Sequence, residues 1–214
     1  MKNTIKYLIL LIIYLVCGVN LQAQNYTFRN VVMSDGLSGL LVNAIYKDSE
    51  GFVWLGTDNC LDRFDGVKVR HYEFRGVDSG RKKRVNCITE TADNQLWVGN
   101  GIGLWRLNRA NGQLERIVSE KIDFAVNTLL PDGDILYIGT EKGLFIQKDG
   151  QLLQVLTDRN MLAACNRIMD LCLNEDKSAL WLATVQGLFS YSLKDGKMDS
   201  WHFQENVPEA DYFR

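Results

Sequence analysis

Histidine is nearly missing from this chain: two in 214 residues, His71 and His202. Cysteine is sparse at five, and no two cysteines stand as C-x-x-C. Together these absences give a zinc site little support and predict no metal and no cofactor. No nucleophile–base pair, no carboxylate pair at a recognisable spacing and no glycine-rich phosphate loop stands out either, so no catalytic residue is assigned. Apolar runs are short. The longest, Tyr7 to Cys17, falls below the ~20 residues a membrane helix needs. Basic charge is not in excess, which argues against a general nucleic-acid binder.

What the amino terminus does have is a leader pattern. Lys2 and Lys6 precede the apolar run, and "NLQAQ" follows it with small residues. This reads as a secretory signal peptide over 1–23, cut after Ala23. Val16 stands where lipoprotein cleavage at Cys17 would need a small residue, so that route is rejected. Removing Lys2 and Lys6 from the 24 basic residues leaves 22 against 26 acidic ones, a net charge of −4. An exported compartment permits disulfides, but the spacing of Cys60, Cys87, Cys165 and Cys172 chooses no partners, and buried free thiols are the expectation.

The dominant feature is repetition. "FVWLGTDNCLDRFDG", "QLWVGNGIGLWRLNRANG", "ILYIGTEKGLFIQKDG" and "ALWLATVQGLFSYSLKDG" align on Trp54, Trp97, Tyr137 and Trp181. Two residues on come Gly56, Gly99, Gly139 and Ala183, and six residues on come Cys60, Gly103, Gly143 and Gly187, each before a Leu. Asp65-Gly66, Asn111-Gly112, Asp149-Gly150 and Asp195-Gly196 close the pattern. Upstream, Asn43, Asn86, Asn127 and Asn166 open the units at spacings of 43, 41 and 39 residues.

Each unit decodes as four short antiparallel strands, with the Asp-Gly or Asn-Gly pair as a tight type I′ turn. Residues 161–172 also carry a helical spacing, which the repeat register outvotes. A unit with two apolar faces cannot bury itself alone. Stacking units around an axis does so, and the predicted fold is an all-β propeller of about four blades, read as an incomplete ring. The domain reading is signal peptide 1–23, lead-in 24–42 and repeats 43–214. The glycines after the aromatic should let neighbouring backbones approach. Cys60 replaces a bend glycine, so the first unit must bend differently or carry strain. Val53, Leu55 and Phe64 in the first unit, and Leu182 and Phe189 in the fourth, are expected to line the two open faces.

Asp35-Gly36-Leu37-Ser38, Asn43, Asp48, Gly51, Trp54, Gly56-Thr57, Leu61 and Asp65-Gly66 together resemble the two-component regulator propeller repeat, with Cys60 departing from its glycine. The resemblance runs from about residue 26 to the end. It implies the periplasmic sensor region of a hybrid histidine kinase, anchored in the inner membrane, dimeric, and detecting polysaccharide fragments. It also implies kinase and receiver domains that these 214 residues lack. On this reading the chain is not itself an enzyme, it is a piece of a longer sensor, and the remaining blades of that protein are its partners. The alternative is a closed four-bladed secreted protein, with "YTFRNVV" as closing strand, acting as a lyase, hydrolase or protein-interaction scaffold.

Positions that differ between units on one end of the propeller are the ligand candidates: Asp58, Asn59, Asn100, Glu141, Lys142, Gln186 and the run Arg81, Lys82, Lys83 and Arg84. An oligosaccharide, anionic where the basic run meets it, is the expected ligand.

Overall fold

The structure is a computed structural model that describes residues 5–7, 28, 30–77, 83–117, 123–155 and 167–201. It divides into two units, Met1–Val31 and Val32–Arg214. In the first, residues 5–7 are helical. The leader expected over 1–23, the closing strand "YTFRNVV" and the segment 161–166 lie largely or wholly outside the described residues.

Among its described residues the second unit forms four separate four-stranded sheets, each antiparallel and ordered as the chain runs. Blade 1 holds β1 (Val42–Lys47), β2 (Val53–Thr57), β3 (Leu61–Phe64) and β4 (Val69–Tyr72). Blade 2 holds β5 (Val85–Glu90), β6 (Leu96–Asn100), β7 (Gly103–Asn108) and β8 (Gln113–Arg116). Blade 3 holds β9 (Val126–Asp132), β10 (Ile135–Thr140), β11 (Gly143–Lys148) and β12 (Gln151–Gln154). Blade 4 holds β13 (Ile168–Leu173), β14 (Ala179–Thr184), β15 (Gly187–Ser192) and β16 (Met198–Trp201). Each blade packs on the next through its first strand, and among the described residues the series is not closed into a ring. The only described helix of this unit is one 3-10 turn, Met33–Asp35.

The core lies between blades rather than within them. Trp54, Leu61 and Tyr72 of blade 1 meet Val85, Ile88, Leu96, Val98 and Trp105 of blade 2 in one cluster. Trp97 and Leu104 meet Val126, Leu136, Ile138 and Phe145, and Tyr137 and Leu144 meet Ile168, Leu171, Leu180, Leu182 and Phe189. In blades 1 to 3 the aromatic therefore faces the following blade. Trp54, Trp97 and Tyr137 are buried, and Trp181, which has no following blade among the described residues, is half-buried. The indole N–H groups find partners inside: Trp54 Nε1 donates to Asp48 Oδ2 at 2.7 Å and Trp97 Nε1 to Thr91 Oγ1 at 3.1 Å.

The glycine after the aromatic is where the next blade's β-branched side chain seats, so it is a side chain and not a backbone that approaches. A Cβ at Gly56 would lie 2.4 Å from Val85 Cγ1, and one at Gly139 would lie 2.8 Å from Ile168 Cγ2. The open faces follow the same parity. Ile45 is exposed and Val53 and Phe64 are half-buried on the leading face of blade 1. Leu182 and Phe189 do not line the trailing face of blade 4. Alternation turns them onto blade 3, and the trailing face presents Trp181 and Leu188 instead.

One turn expectation needs correction. Only Asp149-Gly150 has both residues left-handed, at φ 49° and 74°. In the other three turns the glycine alone is left-handed, and Asx contacts such as Asp65 Oδ1 accepting from Val67 N (2.8 Å) and Lys68 N (2.7 Å) close them. At the bends, Gly103, Gly143 and Gly187 have φ of 146°, 110° and 127°, whereas Cys60 does not enter that region. The first unit bends differently: Cys60 N donates to Thr57 Oγ1 at 3.1 Å, beside a Thr57 Oγ1 to Cys60 O bond of 2.9 Å that recurs as Thr140 to Gly143 and Thr184 to Gly187.

Candidate functional site

In the first strand of every blade the pairing register slips by one residue: between Val42 and Ala44, Val85 and Cys87, and Ile168 and Asp170, with Val126 opposite Thr140 in blade 3. A bulge of this kind re-aims the extra side chain. The residues so turned are Asn43, Asn86, Asn127 and Met169, and all four line one cavity of about 390 Å³. Arg84, Arg167, Ala125, Gly101 and Glu141 complete its wall. The fourth repeat position is thus Met169 and not Asn166, which lies outside the described residues.

The asparagines also clamp blade to blade. Asn86 Nδ2 donates to Val126 O at 2.9 Å, and Asn127 Nδ2 donates to Ile168 O at 2.8 Å. Asn43 breaks the series by donating to Asp58 Oδ1 at 2.9 Å. The hairpins between second and third strands lean on the same end. Gly101 N donates to Arg84 O at 3.1 Å, Glu141 N to Ala125 O at 3.2 Å and Val185 N to Arg167 O at 3.3 Å. One face of the blades therefore gathers two guanidinium groups, one carboxylate and three carboxamides around a concave opening.

Of the residues picked from sequence, Arg84 and Glu141 line this cavity. Asp58 holds Asn43, and Asn59 Nδ2 donates to Ser38 O at 2.9 Å. Lys142 lies over the Phe124 ring at 4.9 Å, Gln186 is exposed on the fourth hairpin, and Lys83 is half-buried. Asn100 is fully buried, its Oδ1 accepting from Ile102 N (3.0 Å) and Trp105 Nε1 (3.1 Å), so its side chain shapes the hairpin interior. Arg81 and Lys82 lie outside the described residues. Sequence reasoning missed Arg167 and Met169, and it read the repeated asparagines as unit markers only. A polar residue between two β-branched or small ones, at the point where pairing slips, was the available signal.

A second polar cluster sits at the bend of blade 1. Asp62, fully buried, takes Ser38 N (2.8 Å) and Ser38 Oγ (2.7 Å) on Oδ2. Its Oδ1 meets His71 Nδ1 at 2.7 Å and accepts from Cys60 Sγ at 3.3 Å. Burial pushes the Cys60 thiol up to about 11. Ser38 and His71 both contact the carboxylate, not each other, so this is not the relay of a hydrolytic triad. Among the described residues Cys60, Cys87 and Cys172 are free thiols. Cys60 is buried as expected, whereas Cys87 is only half-buried, and Cys172 is exposed because it pairs with Trp181 on the trailing face of blade 4.

Four-stranded blades packed through a repeated aromatic–glycine interface define a β-propeller repeat protein. The family model described as Two component regulator propeller matches residues 36–59, which span Gly36-Leu37-Ser38, β1 and β2. Residues 36–59 are thus similar to one repeat of that family. Histidine kinase P4 of Formosa agariphila is 32% identical over 79 residues, which are 37% of this chain and 6% of that relative. The extracellular domains of two proteins of B. thetaiotaomicron described as hybrid two component systems have the same fold. One is 20% identical at a TM-score of 0.68, covering 84% of this chain and 27% of its own. The other is 25% identical at a TM-score of 0.64, covering 80% and 23%. The chain thus spans about a quarter of each of these domains. Among the described residues no helix is long and apolar enough to cross a membrane.

Proposed function

We propose that this chain is the ligand-binding propeller portion of a periplasmic sensor in a hybrid two-component histidine kinase. Its axial cavity takes an oligosaccharide that carries a carboxylate. The observation that carries this reading is the convergence of one bulge residue from each of four blades, with Arg84, Arg167 and Glu141, on a single opening. Carboxamides and a carboxylate suit vicinal hydroxyls, and a guanidinium suits a carboxylate in a bidentate pair. The volume of about 390 Å³ is at the small end of ligand sites, the size of one or two sugar rings. Asp58, Asn59, Lys83, Lys142 and Gln186 form the rim in this reading. The leader over 1–23 exports the chain, further blades of the same parent cover the end faces, and the kinase domains and the dimer contacts belong to that parent.

The test is calorimetric titration of the chain with short uronic-acid oligosaccharides and with neutral ones of equal length. Binding of the acidic set, unchanged ligand on recovery, and a loss of tenfold or more in Arg84→Ala and Arg167→Ala support the reading. Affinity that ignores both substitutions, or cleavage of the ligand, refutes it.

A further inference from the structure

Blade 1 departs from the repeat at two positions, and both departures bring chemistry to one point. Where the other bends read Gly103-x-Trp105, Gly143-x-Phe145 and Gly187-x-Phe189, blade 1 reads Cys60-x-Asp62. The register is the same: Asp62 pairs with Leu55 as Trp105 pairs with Val98, Phe145 with Ile138 and Phe189 with Leu182. The three aromatics are all buried, so blade 1 has placed a fully buried carboxylate where its sister blades place a ring. Directly across the β3–β4 pair, His71 stands opposite Asp62. Sγ of Cys60, a carboxylate oxygen of Asp62 and a ring nitrogen of His71 all lie within 4.8 Å of one another.

We propose that Cys60, Asp62 and His71 form a binding site for a divalent transition-metal ion of borderline softness, with Zn²⁺ as the best fit. One sulfur, one nitrogen and one oxygen ligand on a short, rigid strand pair make a three-residue set with a fourth position for water. A tetrahedral zinc ion with ordinary bond lengths holds its ligand atoms ~3.4–3.6 Å apart. The Asp62–Cys60 separation is 3.3 Å, the Asp62–His71 separation 2.7 Å and the Cys60–His71 separation at most 4.8 Å, so seating the ion needs a shift of about an ångström that opens the Asp62–His71 pair while keeping the ring nitrogen beside Cys60 Sγ. That movement is available, because the His71 side chain is 48% exposed while Asp62 is at 0%. The exposed ring is also the entry path. The outer shell is built: Ser38 N and Ser38 Oγ both hold Asp62 Oδ2 and leave Oδ1 turned to the other two ligands, and Ser38 Oγ is itself 2.9 Å from Thr57 Oγ1. As the ion binds, the thiol proton leaves to solvent and the Nδ1 proton that bridges to Asp62 is exchanged through solvent to Nε2, so that neutral His71 ligates through Nδ1. The ion would tie the Gly-Leu-Ser lead-in, through Ser38, to the outer strands of blade 1. This site is independent of the axial cavity and of any sugar.

The full chain is titrated with Co²⁺ and then with Zn²⁺. The expected result is one equivalent of Co²⁺ with thiolate-to-cobalt charge-transfer absorption, displaced by Zn²⁺, and a melting temperature raised by Zn²⁺. Cys60→Gly restores the residue of the sister bends, so it should fold as well as the parent by circular dichroism and yet lose the absorption band. His71→Gln, at a half-exposed position, should weaken Zn²⁺ binding tenfold or more, and Cys172→Ser should leave it unchanged. A cobalt spectrum without thiolate character, a band that survives Cys60→Gly, or a band that disappears with Cys172→Ser instead would overturn the assignment and leave Asp62 as a hydrogen-bonded pin for the lead-in.

Discussion

Gly56→Ala is the substitution that most directly probes how the blades meet. Its backbone is ordinary extended strand, so intrinsic preference alone favours alanine by ~0.5–1 kcal/mol. The interface opposes it. The added Cβ would lie 2.4 Å from Val85 Cγ1, 2.8 Å from Val85 Cβ and 3.1 Å from Ala44 Cβ. Carbon atoms sit comfortably at ~3.5–4.0 Å, so relief needs about an ångström of separation between blades 1 and 2. Val85 cannot yield by itself: it is fully buried and its branched side chain is stiff at χ1. Overpacking of this kind costs ~1–3 kcal/mol, which exceeds the propensity gain and leaves a net loss of about 1–2 kcal/mol. Val85→Ala removes the offending methyls, so the double variant should be less destabilised than the sum of the singles by on the order of 1 kcal/mol. Urea unfolding followed by tryptophan fluorescence measures all four corners of the cycle at a common m-value. A Gly56→Ala midpoint at or above the parent, or strict additivity with Val85→Ala, would refute the side-chain-into-glycine account.

The asparagine clamps make a second prediction. Asn127→Ala frees Ile168 O across the blade 3–4 interface and should cost about 1–2 kcal/mol by denaturant unfolding, whereas Asn43→Ala, whose partner is the half-exposed Asp58 within its own blade, should cost under ~0.5 kcal/mol. Equal losses would show that the inter-blade bond is not what the position supplies. A third concerns the thiols. Burial raises Cys60 to about 11 and Cys87 to about 12, so at pH 8 at most about one Cys60 in a thousand is thiolate, while exposed Cys172 is free to react. Iodoacetamide labelling read by peptide mass spectrometry should mark Cys172 first and the other two only after urea, and early labelling of Cys60 would contradict its burial.

The fold was legible because the repeat repeats its reasons. Each aromatic, each following glycine and each turn pair recurs at a fixed offset, and four copies outweigh any one ambiguous stretch such as Ile168–Leu173, which is strand despite its helical spacing. The site was less legible because it depends on parity. A single bulge flips Asn43, Asn86, Asn127 and Met169 onto the axis, and nothing in a strand's composition announces where pairing slips. The same parity misled the reading of Leu182 and Phe189. The cluster at Asp62 was hidden for another reason. Cys60 looked like a flaw in the bend, and its significance appears only when Asp62 and His71 are seen to share its place on paired strands.

The two end faces of the series are not complementary halves of the interface used inside it. Inside, a glycine on the trailing face receives a Val or Ile of the next leading face, as Gly56 receives Val85 and Gly139 receives Ile168. On the trailing face of blade 4 that glycine is Ala183, paired with Asp170 where the others pair with Ala44, Cys87 and Thr128. The leading face of blade 1 would offer it Val42, and a valine seated as Val85 is would approach an alanine Cβ to about the distance found at Gly56, the kind of contact that costs ~1–3 kcal/mol. The leading face is altered as well. Trp105 reaches back from blade 2 to meet Phe74 of the preceding segment edge to face, at 5.0 Å between ring centroids. The equivalent residue of blade 1 is Asp62, whose carboxylate is occupied by Ser38, Cys60 and His71 and offers no ring to a preceding blade. Direct packing of blade 1 on blade 4 in the shared register would therefore set an overpacked alanine against a missing aromatic. The surface that suits the trailing face of blade 4 is one with a residue smaller than valine opposite Ala183 and apolar cover for Trp181 and Leu188, which blade 1 does not present.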